Sequence, residues 1–173
     1  KNQLLETSSD QITKLNEDLL IALAEVIDLR DPFTLGHSQY VTRYSVLIAK
    51  KLGLPAESID LIRNAGLLHD IGKIGIPDAI LMKPFPLTKK EYQIIQQHTV
   101  LGSDILKKAH PLKHLAPIVR HHHERYDGTG YPDRLEGQDI PVEAMIIALA
   151  DAVAAMASDR PYRKALSYLS IEK

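Results

Sequence analysis

Residues 58–73 read SIDLIRNAGLLHDIGK, and the register of their apolar residues decides the fold class. Ile62, Ala65 and Gly66 precede His69 by seven, four and three positions, the spacing of a single stripe along an α-helix. His69 therefore points inward with them, and Asp70 follows it directly. Working outward, the same 3.6-residue period recurs on both sides. A leading helix is stopped at Asp31-Pro32, because proline cannot continue it and disfavours helical geometry in the residue before it. The next helix runs to about Leu52 and is closed by Gly53. After the Ser58 helix, which reaches about Ile71, others are expected over residues 88–108, 115–125 and 142–157. Thr88 with Glu91 has the spacing of a capping box, which fixes the start of the first of these. No alternating strand pattern, internal repeat or low-complexity tract appears, so the fold class is all-α.

The 173 residues suffice for one domain with a sizeable core. A net charge of -1 excludes the basic surface of a polymeric nucleic-acid binder, so any phosphate ligand must be held locally. There is no cysteine, which leaves nitrogen and oxygen as metal donors and fits a reducing, cytoplasmic setting. The longest apolar stretch, Met145 to Ala157, is broken by Asp151 and falls short of the roughly 20 residues a membrane span needs. The chain begins at Lys1 with no signal-peptide pattern, and is expected to be a piece of a longer protein with a sensory or receiver domain upstream.

Leu5, Ile12, Leu19 and Val26 recur every seven positions, with Leu15, Ala22 and Leu29 at the intermediate heptad sites and Ser8 breaking the seam. Two readings stay open for residues 1–30: a coiled-coil-like signalling helix that joins two copies, or an amphipathic helix packed on its own domain, residues 31–173.

Polar residues on the apolar stripes carry the functional signal. His98 falls among Ile94, Ile95, Leu101 and Ile105, which are expected to form the buried face of the Thr88 helix. His37 shares a face with Val41, Tyr44, Ser45 and Ile48. Leu115, Ile118 and Val119 direct His122 inward and His123 to its flank. Asp151 shares a stripe with Ala144, Ile147 and Ala148, where a lone buried carboxylate must be paired, protonated or bound to a cation. A single core histidine is usually satisfied by a backbone carbonyl. Five helices that each aim one inward are different, since separate unsatisfied sites would cost on the order of 1–3 kcal/mol each and one shared metal cluster meets them all. Imidazole with carboxylate and no thiolate suits iron, manganese, nickel or zinc. Asp70 is the natural bridge between two ions, and a two-metal site points to phosphoester hydrolysis.

His69-Asp70-Ile71-Gly72-Lys73 resembles the motif of the HD phosphohydrolase superfamily. His122-His123-Glu124 followed by Asp127-Gly128-Thr129-Gly130-Tyr131-Pro132 resembles the HD-GYP subfamily, as do residues 31–37 and Asp159-Arg160-Pro161-Tyr162-Arg163. The resemblance implies an HD-domain helical bundle with a dinuclear metal site, acting as a cyclic di-GMP phosphodiesterase that gives pGpG, GMP or both. It implies one ion, iron or manganese before nickel or zinc, on His37, His69, Asp70 and Asp151, and a second on Asp70, His98, His122 and His123. Lys73 would then lie beside the scissile phosphate, three residues after Asp70, to neutralise charge or protonate the leaving oxygen. Arg160 and Arg163 would hold phosphate, while Gly130 and Tyr131 would border the substrate, with Gly128 and Gly130 taking positive φ. A GGDEF-type partner protein docking on that loop is also implied. Some relatives bind a third metal through a glutamate four residues before the first histidine. That position is Phe33 here, so two ions are expected. The chain also stops soon after Ala165, short of the terminal helix usual in the family, so reduced activity of this piece is expected.

Overall fold

The computed structural model describes residues 2–31, 36–158, 164–167 and 170, with side chains from residue 11 onward. Among them there is no strand, and the helices are α1 (Asn2–Arg30), α2 (His37–Lys51), α3 (Ala56–Leu68), α4 (Asp78–Leu81), α5 (Lys89–Lys108), α6 (Ala116–His121) and α7 (Val142–Ala157). Short 3-10 turns at Ile71–Gly75, His110–Leu115 and Gly137–Asp139 link them. The boundaries follow local chemistry. Thr88 and Glu91 form the expected capping box, and Lys83 holds the Glu91 carboxylate at 2.7 Å. Gly53 ends α2 with φ 72°, its neighbour Leu54 donating back to the Ala49 carbonyl. The helix expected to reach Arg125 stops at His121, because the chain turns there into the glycine-rich loop.

One main core joins Leu20 and Ala24 of α1, Val41 of α2, Ala65 and Leu68 of α3, Leu106 of α5, Val119 of α6 and Ile147 of α7. The last three turns of α1 are thus built into the domain, and a division at residue 30 would part this helix from the core it packs in. Facing away from that core, α1 exposes Ile12, Leu15, Leu19, Val26 and Leu29. The inward face agrees with the reading of α1 as an amphipathic helix packed on its own domain.

The buried face of α5 differs from expectation. Ile94 and Ile105 are exposed, and the inward stripe consists of His98, Thr99, Gly102, Ser103 and Leu106. Small residues are needed there because the turn after Asp70 crosses α5 at backbone contact. A Cβ on Gly72 would collide with the His98 carbonyl, and one on Gly102 would sit 3.2 Å from the Gly72 nitrogen. Large apolar side chains would hold the two segments apart; glycine lets Asp70 come to His98. Gly72→Ala is expected to force the turn off α5 at a cost on the order of 3 kcal/mol, read as a lowered midpoint in urea.

Candidate metal centre

The seven expected ligands come together, six of them from three helix termini and one helix interior, with Asp151 closing the group from α7. His37 opens α2, His69 and Asp70 follow α3, His98 lies inside α5, and His122 and His123 follow α6. Donor atoms of His37, His69 and Asp70 lie within 4.8 Å of one another, as do those of His98, His122 and His123. Asp151 Oδ1 sits 3.0 Å from His37 Nε2. Asp70 stands between the groups: Oδ2 is 3.4 Å from His69 Nε2, and Oδ1 is 3.4 Å from His98 Nε2.

Each deep imidazole is aimed by the same device. Nδ1 of His69, His98 and His122 lies 2.7 Å from the carbonyl three residues earlier, that of Gly66, Ile95 and Val119. A carbonyl only accepts, so Nδ1 carries the proton and a neutral ring presents a bare lone pair at Nε2. Those lone pairs converge. His98 and His122 bring their Nε2 atoms to 3.4 Å, and the buried His69 Nε2 makes no hydrogen bond. Two neutral imidazoles in these tautomers have no proton to share between their Nε2 atoms, whereas a cation accepts both lone pairs. The residues present therefore fit a nitrogen- and oxygen-ligated metal cluster.

The electrostatics agree. Burial holds the His122 ring well below its ordinary pKa, and burial with the neighbouring His98 brings His123 down to about 4, so both are neutral and free to ligate. Burial would also depress His69, but the Asp70 and Asp151 carboxylates outweigh it and push that ring up to about 9. Negative charge at this point calls for a positive partner, which a divalent cation would supply. For Asp70, burial is outweighed by Lys73 and His69, which hold the carboxyl well below its usual range. Asp151, kept charged against burial chiefly by its bond to His37, is lowered to about 2.

Lys73 is half enclosed beneath the cluster, its Nζ 2.8 Å from Asp70 Oδ2 and 3.0 Å from Asp31 Oδ2. Burial is outweighed by those carboxylates, so its pKa is raised. Tyr131 stacks on His123 with ring centroids 4.9 Å apart and borders an open cavity of about 480 Å3 together with Gln96, Gln97 and Arg134. Gly130 is buried and does not take positive φ, whereas Gly128 does at 71°. A Cβ on Gly130 would meet Glu124 Cα at 2.5 Å, so glycine is needed there for backbone contact beneath the loop. Arg160, Arg163 and Phe33 lie outside the described residues. His110 and His114 are exposed, and His121 bonds Asp133 at 2.9 Å away from the cluster.

The profile of the family described as "HD domain" matches residues 22–170. The chain belongs to the HD domain family. Its His-Asp and Gly-Tyr-Pro segments place it in the HD-GYP branch. A cyclic di-GMP phosphodiesterase of Thermotoga maritima is 42% identical over 166 residues, covering 92% of this chain and 45% of the relative. A 3'3'-cGAMP-specific phosphodiesterase of Vibrio cholerae is 41% identical, covering 87% and 33%. The chain thus spans under half the length of these curated relatives. A solved HDG"Y"P protein from Bdellovibrio bacteriovorus superposes with a TM-score of 0.61 at 24% identity, over 70% of this chain and 40% of that one, and shares the helical fold.

Sequence reasoning missed Glu124 as a structural residue. Its buried carboxylate accepts the amides of Asp133 at 2.7 Å and Arg134 at 3.0 Å, bracing the loop that carries Tyr131. The available signal was an acid directly after the histidine pair and before a run of glycines. Glu124→Ala is expected to cost about 1–3 kcal/mol for the amides left unpaired, with faster hydrogen exchange at Asp133 and Arg134 as the local readout.

Proposed function

We propose that this chain is the catalytic portion of a metal-dependent phosphodiesterase that hydrolyses cyclic di-GMP to pGpG, GMP or both. The supporting observation is Asp70, whose two oxygens each face a separate group of imidazoles. One ion would be held by His37, His69, Asp70 and Asp151, the other by Asp70, His98, His122 and His123, with iron or manganese before nickel or zinc. Such a pair, when bound, supplies Lewis acidity toward a phosphodiester and lowers the pKa of water in the site.

The chain's own residues set the rest. Lys73, gripped by two carboxylates, acts as a positive charge that keeps Asp70 ionised and the site attractive to an anionic diester, and would neutralise charge or protonate the leaving oxygen. Tyr131 walls the cavity beside His123 and offers a nucleobase an aromatic edge. Arg160 and Arg163 would complete phosphate binding. By this reading the domain works in bacterial signalling in the cytoplasm, under an upstream sensory or receiver domain. The outward seam of α1 would pair two copies, and the Gly-Tyr-Pro loop would present a surface to a GGDEF-type partner. No described helix is long and apolar enough to cross a membrane.

The relative specific for 3'3'-cGAMP favours a second reading, in which another cyclic dinucleotide is the substrate. Product chromatography of the manganese-loaded protein over cyclic di-GMP, 3'3'-cGAMP and cyclic di-AMP separates the two. Cyclic di-GMP is expected to be cleaved fastest; faster cleavage of another dinucleotide installs the second reading. Full metal loading with no cleavage of any leaves a signalling scaffold. Asp70→Asn and His98→Ala are expected to reduce turnover to the metal-free level and to lower the bound manganese measured by atomic absorption.

A further inference from the structure

The last turn of α1 reaches both halves of the metal centre through three residues that carry no ligand. Asp28 is buried, and both its oxygens accept from Ser38, the hydroxyl at 2.7 Å and the amide at 3.1 Å. Ser38 follows His37 directly, and α2 has no cap of its own, since Gly36 precedes it without a side chain to offer. Asp28 therefore caps α2 from a neighbouring helix and fixes the first turn, where His37 sits. Two residues later, the guanidinium of Arg30 donates to the carbonyls of Lys73 at 3.1 Å, Ile74 at 2.7 Å and Ile76 at 3.3 Å, and pairs with Asp78. It ties down the 3-10 turn that begins immediately after Asp70. Asp31 then holds Lys73, which holds Asp70.

We infer that Asp28 and Arg30 are positioning residues for the metal centre, Asp28 acting on His37 through Ser38 and Arg30 acting on Asp70 through the turn at Ile71–Gly75. This rests on the metal-centre reading above. The physical basis is that a divalent cation demands donor positions held to a few tenths of an ångström, and the groups behind the ligands supply that constraint. Neither end can be held by its own helix. Residue 37 opens α2, where backbone amides lack intrahelical partners, and Asp70 lies beyond the end of α3.

The test uses isosteric or charge-keeping variants and Mn2+ alone as the probe. Asp28→Asn keeps the shape but removes the charge and one of the two acceptor oxygens, and Arg30→Lys keeps the charge but has a single nitrogen in place of the planar fork that reaches three carbonyls and Asp78. Each is expected to weaken Mn2+ binding by about tenfold in calorimetry, the magnitude usual for groups behind metal ligands. With cyclic di-GMP as substrate, kcat is expected to fall with KM unchanged. Glu25→Gln is the control, because Glu25 joins the same two helices through an exposed bond to Gln39 at 3.1 Å and should leave both quantities as they were. Lowered melting temperatures with parental Mn2+ affinity would show a structural role only and overturn the inference. Should either variant fail to fold, Ser38→Ala removes the hydroxyl alone, and unchanged Mn2+ affinity there overturns the Asp28 link. A parental protein that binds no Mn2+ overturns the metal-centre reading and the inference with it. Parental binding with unaffected variants removes the inference alone.

Discussion

A buried carboxylate shared between two groups of imidazoles is the constraint on which this structure turns. Asp70 is nearly inaccessible, and a carboxylate in such a place is costly unless matched by positive charge or hydrogen bonds. Asp151 and Asp31 add two more acids within reach of the same cluster, against the single ammonium of Lys73. The protein alone leaves two negative charges uncompensated, and the carboxylates beside His69 push its ring up to about 9. Two divalent cations would reverse that balance and leave an excess of two positive charges. A centre with that excess would favour anionic ligands.

Helix ends supply most of the donors, for a reason rooted in backbone chemistry. The last carbonyls of a helix lack intrahelical partners. His69 and His122 each follow a helix and return their Nδ1 proton to one of those carbonyls, Gly66 in α3 and Val119 in α6. One side chain thereby satisfies an orphan acceptor, sets its own tautomer and presents Nε2 to the centre. His98 does the same inside α5, sharing the Ile95 carbonyl with the helix. The geometry follows from three-residue spacing within each segment, so only the crossing of segments remains to be fixed by packing.

That division explains what could be read from the sequence. His69, His98, His122, His37 and Asp151 fall on apolar stripes, and periodicity alone placed them inward. The boundary chemistry of Thr88 and Gly53 was equally legible, because each acts on residues within a few positions of itself. The α5 face was misread because Ile94 and Ile105 are large and apolar, the usual marks of burial, whereas the neighbouring turn requires Gly102 and Ser103. Gly72 and Gly130 look like turn residues, yet their role is to admit another backbone segment, distant in sequence for Gly72 and near for Gly130. Glu124, Asp28 and Arg30 carry no periodic signal, since each bonds to backbone groups that only the tertiary fold brings near.

The two faces of α1 bear on how such a domain is controlled. Its inward face, Leu20, Ala24 and Ile27, is core; its outward face, with Leu19, Val26 and Leu29, is bare. Between them the final turn carries Asp28 and Arg30, bonded to the segments that present His37 and Asp70. A helix is stiff over such lengths, so whatever engages the outward seam moves this turn as a unit. Sliding by a fraction of an ångström would be absorbed in a loop, but here the buried bonds of Asp28 and the partly exposed bonds of Arg30 would pass it to the segments that present His37 and Asp70. Coupling requires an element with two arrangements of similar energy, and α1 satisfies the mechanical half of that condition. Its outer surface is exposed, while its inner surface is packed into the core from which the His37, His69 and His122 segments project.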